Sequence, residues 1–231
     1  MPDIKITARD GGTFSGYLAK PASGSGPGIV VIQEIFGVNQ VMRGITDALA
    51  KQGYLALCPD LFWRQEPGIQ ITDKTEAEWQ RAFQLFNGFD VDKGVEDLKA
   101  SLDVLRKTEG CSGKVGTVGY CLGGKLAFLM ATRSSADCNV SYYGVGLDGI
   151  LGEASKISKP AMLHIAELDK FVPPEAQKKV KDGLAGNTHV TIHSYPGVDH
   201  AFAREGGQHW NAQAAGLANQ RSADFFRKHL G

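Results

Sequence analysis

The chain has 231 residues, 42% of them hydrophobic and 22% charged, which is enough to bury the core of one globular α/β domain. Lys+Arg and Asp+Glu each number 25, so the formal net charge is zero and no nucleic-acid or membrane partner is expected on electrostatic grounds. No stretch has the length and apolarity of a membrane span.

The opening residues, MPDIKITARDGG, hold no apolar run behind a basic segment, so no secretory leader is expected and the cytoplasm is the expected location. Segments 4–7 and 13–19 flank Asp10-Gly11-Gly12, a turn signal, and predict an antiparallel hairpin. PASGSGPG at 21–28 reads as a flexible surface connection. Further apolar, β-branched runs predict strands at 29–33, 54–57, 115–118, 140–143, 161–165 and 190–195. Helical periodicity falls between them, around 39–52, 75–87, 92–108, 123–132 and 175–184, with a last helix from about 209 to 229. Pro173-Pro174 before EAQKKVKDGL marks a helix start, and KKVK at 178–181 reads as the solvated face of that helix. Strands alternating with helices predict a mostly parallel sheet covered on both faces, in a single domain without internal repeats.

Cys58, Cys111, Cys121 and Cys138 form no CxxC pair and have no metal-ligand spacing, so they read as free thiols in a reducing compartment. Cys121 stands out. In VGTVGYCLGG at 115–124 an apolar strand runs straight into GGKLAFLMA, an apolar helix, and Cys121 occupies the turn between them. Gly119 and Gly123, two residues to either side, complete the small-x-nucleophile-x-small pattern of a nucleophile elbow, with a thiol as the nucleophile. A helix N-terminus behind the turn favours a thiolate. The competing reading is an ordinary buried cysteine beside convenient glycines.

Such an elbow calls for an acid after a later strand and a histidine after the last one. The strand at 161–165 is followed by Glu167-Leu168-Asp169, and the strand at 190–195 by Pro196-Gly197-Val198-Asp199-His200. Asp169 and His200 fall in the required order. Glu167 and Asp148 remain alternative acids, and Asp199 is expected to cap its turn. His164 and His193 lie inside predicted strands and read as core or surface histidines. His189 and His193 have HxxxH spacing, which does not converge on one metal along a strand, so no metal site is expected. His209 and His229 fall in the C-terminal helical region.

Several segments together resemble dienelactone hydrolase (carboxymethylenebutenolidase): QEIFG at 33–37, CPDL at 58–61, GYCLGG at 119–124, YYGVG at 142–146, LDKFVP and DHAFAR. The resemblance spans nearly the whole chain and implies an α/β-hydrolase fold, with a mostly parallel central sheet and an antiparallel N-terminal hairpin. It implies Cys121 as nucleophile, His200 as base and Asp169 as the residue that orients it, with the backbone N–H groups of Leu122 and Ile35 as oxyanion hole. Glu34 matches a glutamate that contacts the resting thiol, where its charge would disfavour the thiolate. Arg204 matches an arginine that holds a substrate carboxylate, and its simpler reading is a surface ion pair. Phe36 and Tyr143 fall in substrate-site motifs. Three positions depart from the pattern: Trp79 stands at a second substrate arginine, Phe83 at a tyrosine and Ala201 at a serine. The expected acyl pocket is therefore more apolar than the family's.

A thiol pKa of about 8.5 makes thiolate a better leaving group than an alkoxide, so a cysteine nucleophile suits enol lactones and aryl esters. The expected activity is hydrolysis of such substrates through an acyl-thioester, by a monomer that needs no cofactor and takes a small-molecule lactone or ester. Two other classes compete: a thiol-based redox protein acting through Cys121, and a catalytically silent binding module of the same fold.

Overall fold

The structure is a computed structural model and describes residues 3–231. The chain forms two compact units that meet in sequence between Thr117 and Val118.

In the first unit, β1 (Asp3–Thr7) and β2 (Thr13–Ala19) form the expected antiparallel hairpin, with Ile6 opposite Phe14. Gly11, at φ 93°, takes the turn position that other residues adopt at a cost. β3 (Gly26–Ile32) pairs in parallel with β4 (Leu55–Pro59), and β2 runs antiparallel to β4. Val30, Ile32, Leu55 and Leu57 are buried, as strands covered on both faces require. Three helices follow the periodicity: α1 (Gln40–Lys51), α2 (Glu76–Asn87) and α3 (Val91–Lys107). Each has a side-chain N-cap, from Asn39, Thr75 and Asp90, accepting an N–H of the first turn. At α2 the Glu78 carboxylate also accepts from the Thr75 hydroxyl at 2.9 Å and the Thr72 N–H at 2.8 Å. The Thr72 hydroxyl donates to it as well at 2.8 Å, and these hydrogen bonds, that hydroxyl's first, hold the Glu78 carboxyl below its usual pKa.

β5 (Cys111–Tyr120) carries the chain into the second unit. There α4 (Leu122–Arg133), α5 (Pro174–Leu184) and α6 (Ala212–Leu230) alternate with β6 (Asn139–Tyr142), β7 (Ala161–Ala166) and β8 (Val190–Tyr195). The last three strands are parallel, with His164 opposite His193. On one face Leu163 and Ile165 pack with Phe128 of α4 and with Val180 and Leu184 of α5. On the other, α6 meets the strands through Ser222, which lies 2.7 Å from the Tyr142 hydroxyl and 2.9 Å from His164 Nε2. The strand order is β1-β2-β4-β3 in the first unit and β6-β7-β8 in the second, with parallel pairs and the antiparallel N-terminal hairpin expected from the sequence.

Element ends differ from expectation where glycine or tertiary hydrogen bonding decides them. β3 begins at Gly26, inside the segment read as a flexible connection, because Gly26 N–H donates to Gly110 O at 2.9 Å. Gly28 is packed so closely that a Cβ there would meet Val115 Cγ2 at 2.9 Å. Gln33 falls just beyond the strand, and its amide oxygen accepts the Leu61 N–H at 3.0 Å. The last helix starts at Ala212, where the Asn211 side chain caps it, so His209 lies in the preceding turn. Two short 3-10 turns, Leu147–Gly149 and Leu151–Lys156, had no sequence signal.

Candidate active site

Cys121 sits between β5 and α4 at φ 57° and ψ −114°, a conformation that costs an L-residue free energy. Two hydrogen bonds impose it: Cys121 N–H donates to Tyr142 O, and Cys121 O accepts from Lys125 N–H, both at 3.1 Å. The flanking glycines are required by space. A Cβ on Gly119 would lie 1.9 Å from Gly123 O, and one on Gly124 would lie 2.5 Å from Tyr142 O. Strand and helix can therefore approach only because these side chains are missing. The first N–H groups of α4, Leu122 among them, have no intrahelical acceptors and present partial positive charge beside Cys121.

The loop after β7 turns Asp169 inward while Glu167 and Leu168 stay exposed. Asp169 Oδ2 lies 2.8 Å from His200 Nδ1, and its Oδ1 accepts the Phe171 N–H at 2.8 Å. An ionised carboxylate only accepts, so Nδ1 carries the proton and neutral His200 keeps its lone pair on Nε2. Both residues are buried. The imidazole is packed edge-on by Tyr143 at 5.1 Å and Phe171 at 4.9 Å. Asp199 caps its turn as expected, accepting the His200 N–H at 2.7 Å and the Lys170 N–H at 3.2 Å.

Burial is the largest influence on His200 and by itself disfavours the imidazolium. The charge of nearby Cys121 and the bond to Asp169 outweigh it and raise the pKa from 6.5 to about 10. Nε2 is sealed from solvent with no partner in ideal hydrogen-bond geometry, so Cys121 acts on the imidazole first by its charge and only then by a poorly aligned hydrogen bond.

Among the described residues, three non-glycine residues have positive φ: Cys121 at 57°, Tyr143 at 38° and Ala201 at 61°. They are the nucleophile candidate, a residue packed on His200, and the residue directly after it. Arg204 follows in the same turn, its N–H donating to Ala201 O at 2.9 Å. It is buried, which corrects the reading of a surface ion-pair partner.

In the first unit, Glu34, Ile35 and Phe36 are buried in the segment following β3. Trp79 on α2 packs edge-on to Phe36 at 5.1 Å, stacks on Phe83 at 5.6 Å, and donates its indole N–H to Asp73 O at 2.9 Å. Arg81 faces elsewhere and pairs with Glu66. His164 is a core histidine with both ring nitrogens bonded, Nδ1 to the Tyr195 hydroxyl at 2.8 Å. No group of three or more His, Cys, Asp or Glu among the described residues could hold a metal. No helix among them is long and apolar enough to cross a membrane.

Sequence reasoning missed Gln177. Its amide on α5 lies 2.8 Å from Val172 O, 3.1 Å from Ala166 O and 3.3 Å from Glu167 O, bracing the loop that carries Asp169. The available signal was a polar residue on the face of α5 that also carries Val180 and Leu184. Phe171, an exposed aromatic beside the histidine, was the other omission.

A sequence model described as the dienelactone hydrolase family matches residues 14–230. A relative from Azospirillum brasilense, provisionally named a carboxymethylenebutenolidase, is 59% identical over 233 aligned residues and covers 100% of both chains. A carboxymethylenebutenolidase from Pseudomonas putida is 42% identical, over 96% of this chain and 94% of its own. Among solved structures, the dienelactone hydrolase-like promiscuous phosphotriesterase P91 from metagenomic libraries superposes with a TM-score of 0.83 at 24% identity, covering 100% of this chain and 99% of that one. The chain belongs to the dienelactone hydrolase family, with its α/β-hydrolase fold, and is a carboxylic ester or lactone hydrolase.

Proposed function

We propose that the chain hydrolyses enol lactones and activated esters by a Cys121–His200–Asp169 triad through an acyl-thioester. The observation that carries this reading is the buried His200–Asp169 pair beside Cys121, whose charge raises the imidazole pKa and so favours a resting thiolate–imidazolium pair with hydrogen on Nε2. The Cys121 thiolate attacks the acyl carbon, and the carbonyl oxygen takes the displaced electron pair, facing the Leu122 N–H. Collapse breaks the acyl–oxygen bond, and His200 Nε2–H protonates the leaving enolate or phenolate. Water then adds to the thioester as Nε2 takes its proton, and the carbon–sulfur bond breaks to release the acid and restore the thiolate. Asp169 holds the tautomer and the developing imidazolium throughout. The Ile35 N–H and Glu34 belong to this reading through the family resemblance alone.

Substrate choice follows from two features. By the family resemblance, Arg204 offers a guanidinium fork suited to a carboxylate, while Trp79 and Phe83, packed with Phe36, put aromatic rings where the family carries an arginine and a tyrosine. Neutral aryl esters and apolar enol lactones are therefore favoured over dicarboxylate ones. The redox alternative has less support, because Cys58, a candidate resolving thiol, is held protonated, first by burial and then by the Asp60 charge.

The test is Cys121→Ala against a panel of carboxylated enol lactones and neutral aryl esters. Turnover should fall by about 10³-fold or more, with a wild-type acyl adduct on Cys121 visible by mass spectrometry. Undiminished turnover in the folded variant would end the assignment. Arg204→Ala should selectively weaken the carboxylated substrates.

A further inference from the structure

The second unit carries another cleft, which the chemistry above does not use. Side chains alternate along a strand, so Met162 and His164 on β7 share a face with Thr191, His193 and Tyr195 on β8. Ser222 of α6 closes the inner part of that face over His164. Farther out, along the last strand of the sheet, a cleft of about 490 Å³ stays open between β8 and α6. Met162, Thr191, His193, Arg221, Phe225 and Lys228 line it. That volume lies within the range of small-molecule sites.

Its charge is unusual for a chain of zero net charge. Arg221 and Lys228, seven residues apart, present two cations on one side of α6, about 10 Å apart along the axis. Neither forms an ion pair among the described residues. Asp224, which lines the same cleft, is engaged instead by Arg227 and by Gln220 at 3.1 Å. The Arg221 guanidinium is fixed near β8, 5.4 Å from the Tyr195 ring centroid, and its charge adds to burial in lowering the His193 pKa. His189 and His229 add further N–H donors to the lining. Phe225, between the two cations on α6, and Met162 of β7 add apolar surface to the lining beside the engaged Asp224.

The geometry points to a binding site for a small, elongated dicarboxylate, with one carboxylate at Arg221, the other at Lys228, and a planar apolar body against Met162 and Phe225. Guanidinium and ammonium donors match two separated oxyanions, and the apolar span matches the carbon skeleton between them. Inorganic phosphate is disfavoured, because one compact anion cannot reach two cations about 10 Å apart along the helix axis.

The experiment titrates the wild-type protein with naphthalene-2,6-dicarboxylate, 2-naphthoate, 2-naphthamide and inorganic phosphate by calorimetry, and repeats it with Arg221→Gln and Lys228→Gln. Both positions are at least partly solvent-exposed on the helix, and circular dichroism checks that the variants fold. The dicarboxylate should bind with a Kd below about 1 mM, 2-naphthoate about tenfold more weakly, and the amide and phosphate not measurably. Each variant should weaken the dicarboxylate at least about fivefold, while ester turnover stays at the wild-type level. The proposal fails if no saturable binding is found, if the amide binds as well as the dicarboxylate, or if phosphate competes fully. It also fails if neither variant changes the Kd, since the ligand then sits elsewhere. A purely structural role for Lys228, complementing the helix dipole, predicts that last result.

Discussion

Replacing Asp169 by asparagine exchanges one carboxylate oxygen for an amide nitrogen, and its surroundings make either orientation costly. The carboxylate accepts from two donors, His200 Nδ1–H and Phe171 N–H, each at 2.8 Å. Asparagine offers one acceptor and one donor group in their place. If its oxygen keeps the Phe171 N–H, its NH₂ faces Nδ1 and forces the tautomer with hydrogen on Nε2. That tautomer cannot take a proton from thiol or water. If its oxygen keeps His200, the NH₂ opposes the Phe171 N–H at a site only 4% exposed, and a buried donor goes unpaired. That costs about 2 kcal/mol, so the competent tautomer falls to roughly one molecule in thirty. Loss of the charge-assisted bond to the imidazolium removes about 2 kcal/mol more from the reaction that remains. The two factors multiply to about 10³-fold in kcat. The assay is steady-state hydrolysis of a p-nitrophenyl ester, paired with thermal unfolding to show that the variant is folded. A folded Asp169→Asn protein within tenfold of wild type would refute both the tautomer argument and the role of Asp169 in the triad.

Three further outcomes follow from the geometry. Because the His200 pKa is raised, its contribution to stability is complete below about 6.5 and lost as pH climbs toward about 10. Urea unfolding across that window should show Cys121→Ala losing less stability than wild type. The buried Cys58 and Tyr142, whose raised pKa values also weaken the fold in alkali, cancel in the difference. Parallel curves would exclude the Cys121–His200 coupling. Gly119→Ala places a Cβ against Gly123 O, a backbone atom that cannot swing aside, and should destabilise by about 3 kcal/mol while abolishing ester turnover. A fully active variant with an unchanged midpoint would contradict the elbow packing. Asp97, 1% exposed, accepts from Arg64 at 2.8 and 3.0 Å and from the Trp63 indole at 2.9 Å. Asp97→Asn removes the buried charge from this pair while Arg64 keeps Asp10 at 2.6 Å, and should cost about 2 kcal/mol in urea unfolding, so a loss under about 0.5 kcal/mol would argue against the pair.

What the sequence disclosed depended on whether a residue's state is set by its neighbours along the chain or across the fold. β-Branched runs locate the strands because burial on both faces demands them, yet β3 starts at Gly26, where only a hydrogen bond to Gly110, 84 positions later, recruits the backbone. Asp169 competed with Glu167 and Asp148 because all three follow strands. Only the turn that points Asp169 inward distinguishes it, and that turn is held by Gln177, whose acceptors lie five to eleven residues away.

The strained positions show the same division more sharply. Nothing local marks Cys121, Tyr143 or Ala201 for positive φ, since none of these residue types prefers it. Each such conformation costs about 1–2 kcal/mol, which the surrounding hydrogen bonds must offset. At Cys121 the compensation left a trace, because the approach of strand and helix requires glycine at 119 and 124. At Ala201 no comparable glycine is needed, and the position was noticed only as a departure from a family pattern. Strain is therefore legible where it forces neighbouring side chains to vanish. Where hydrogen bonds alone sustain it, only the folded structure reveals that local preference has been overridden around the candidate site.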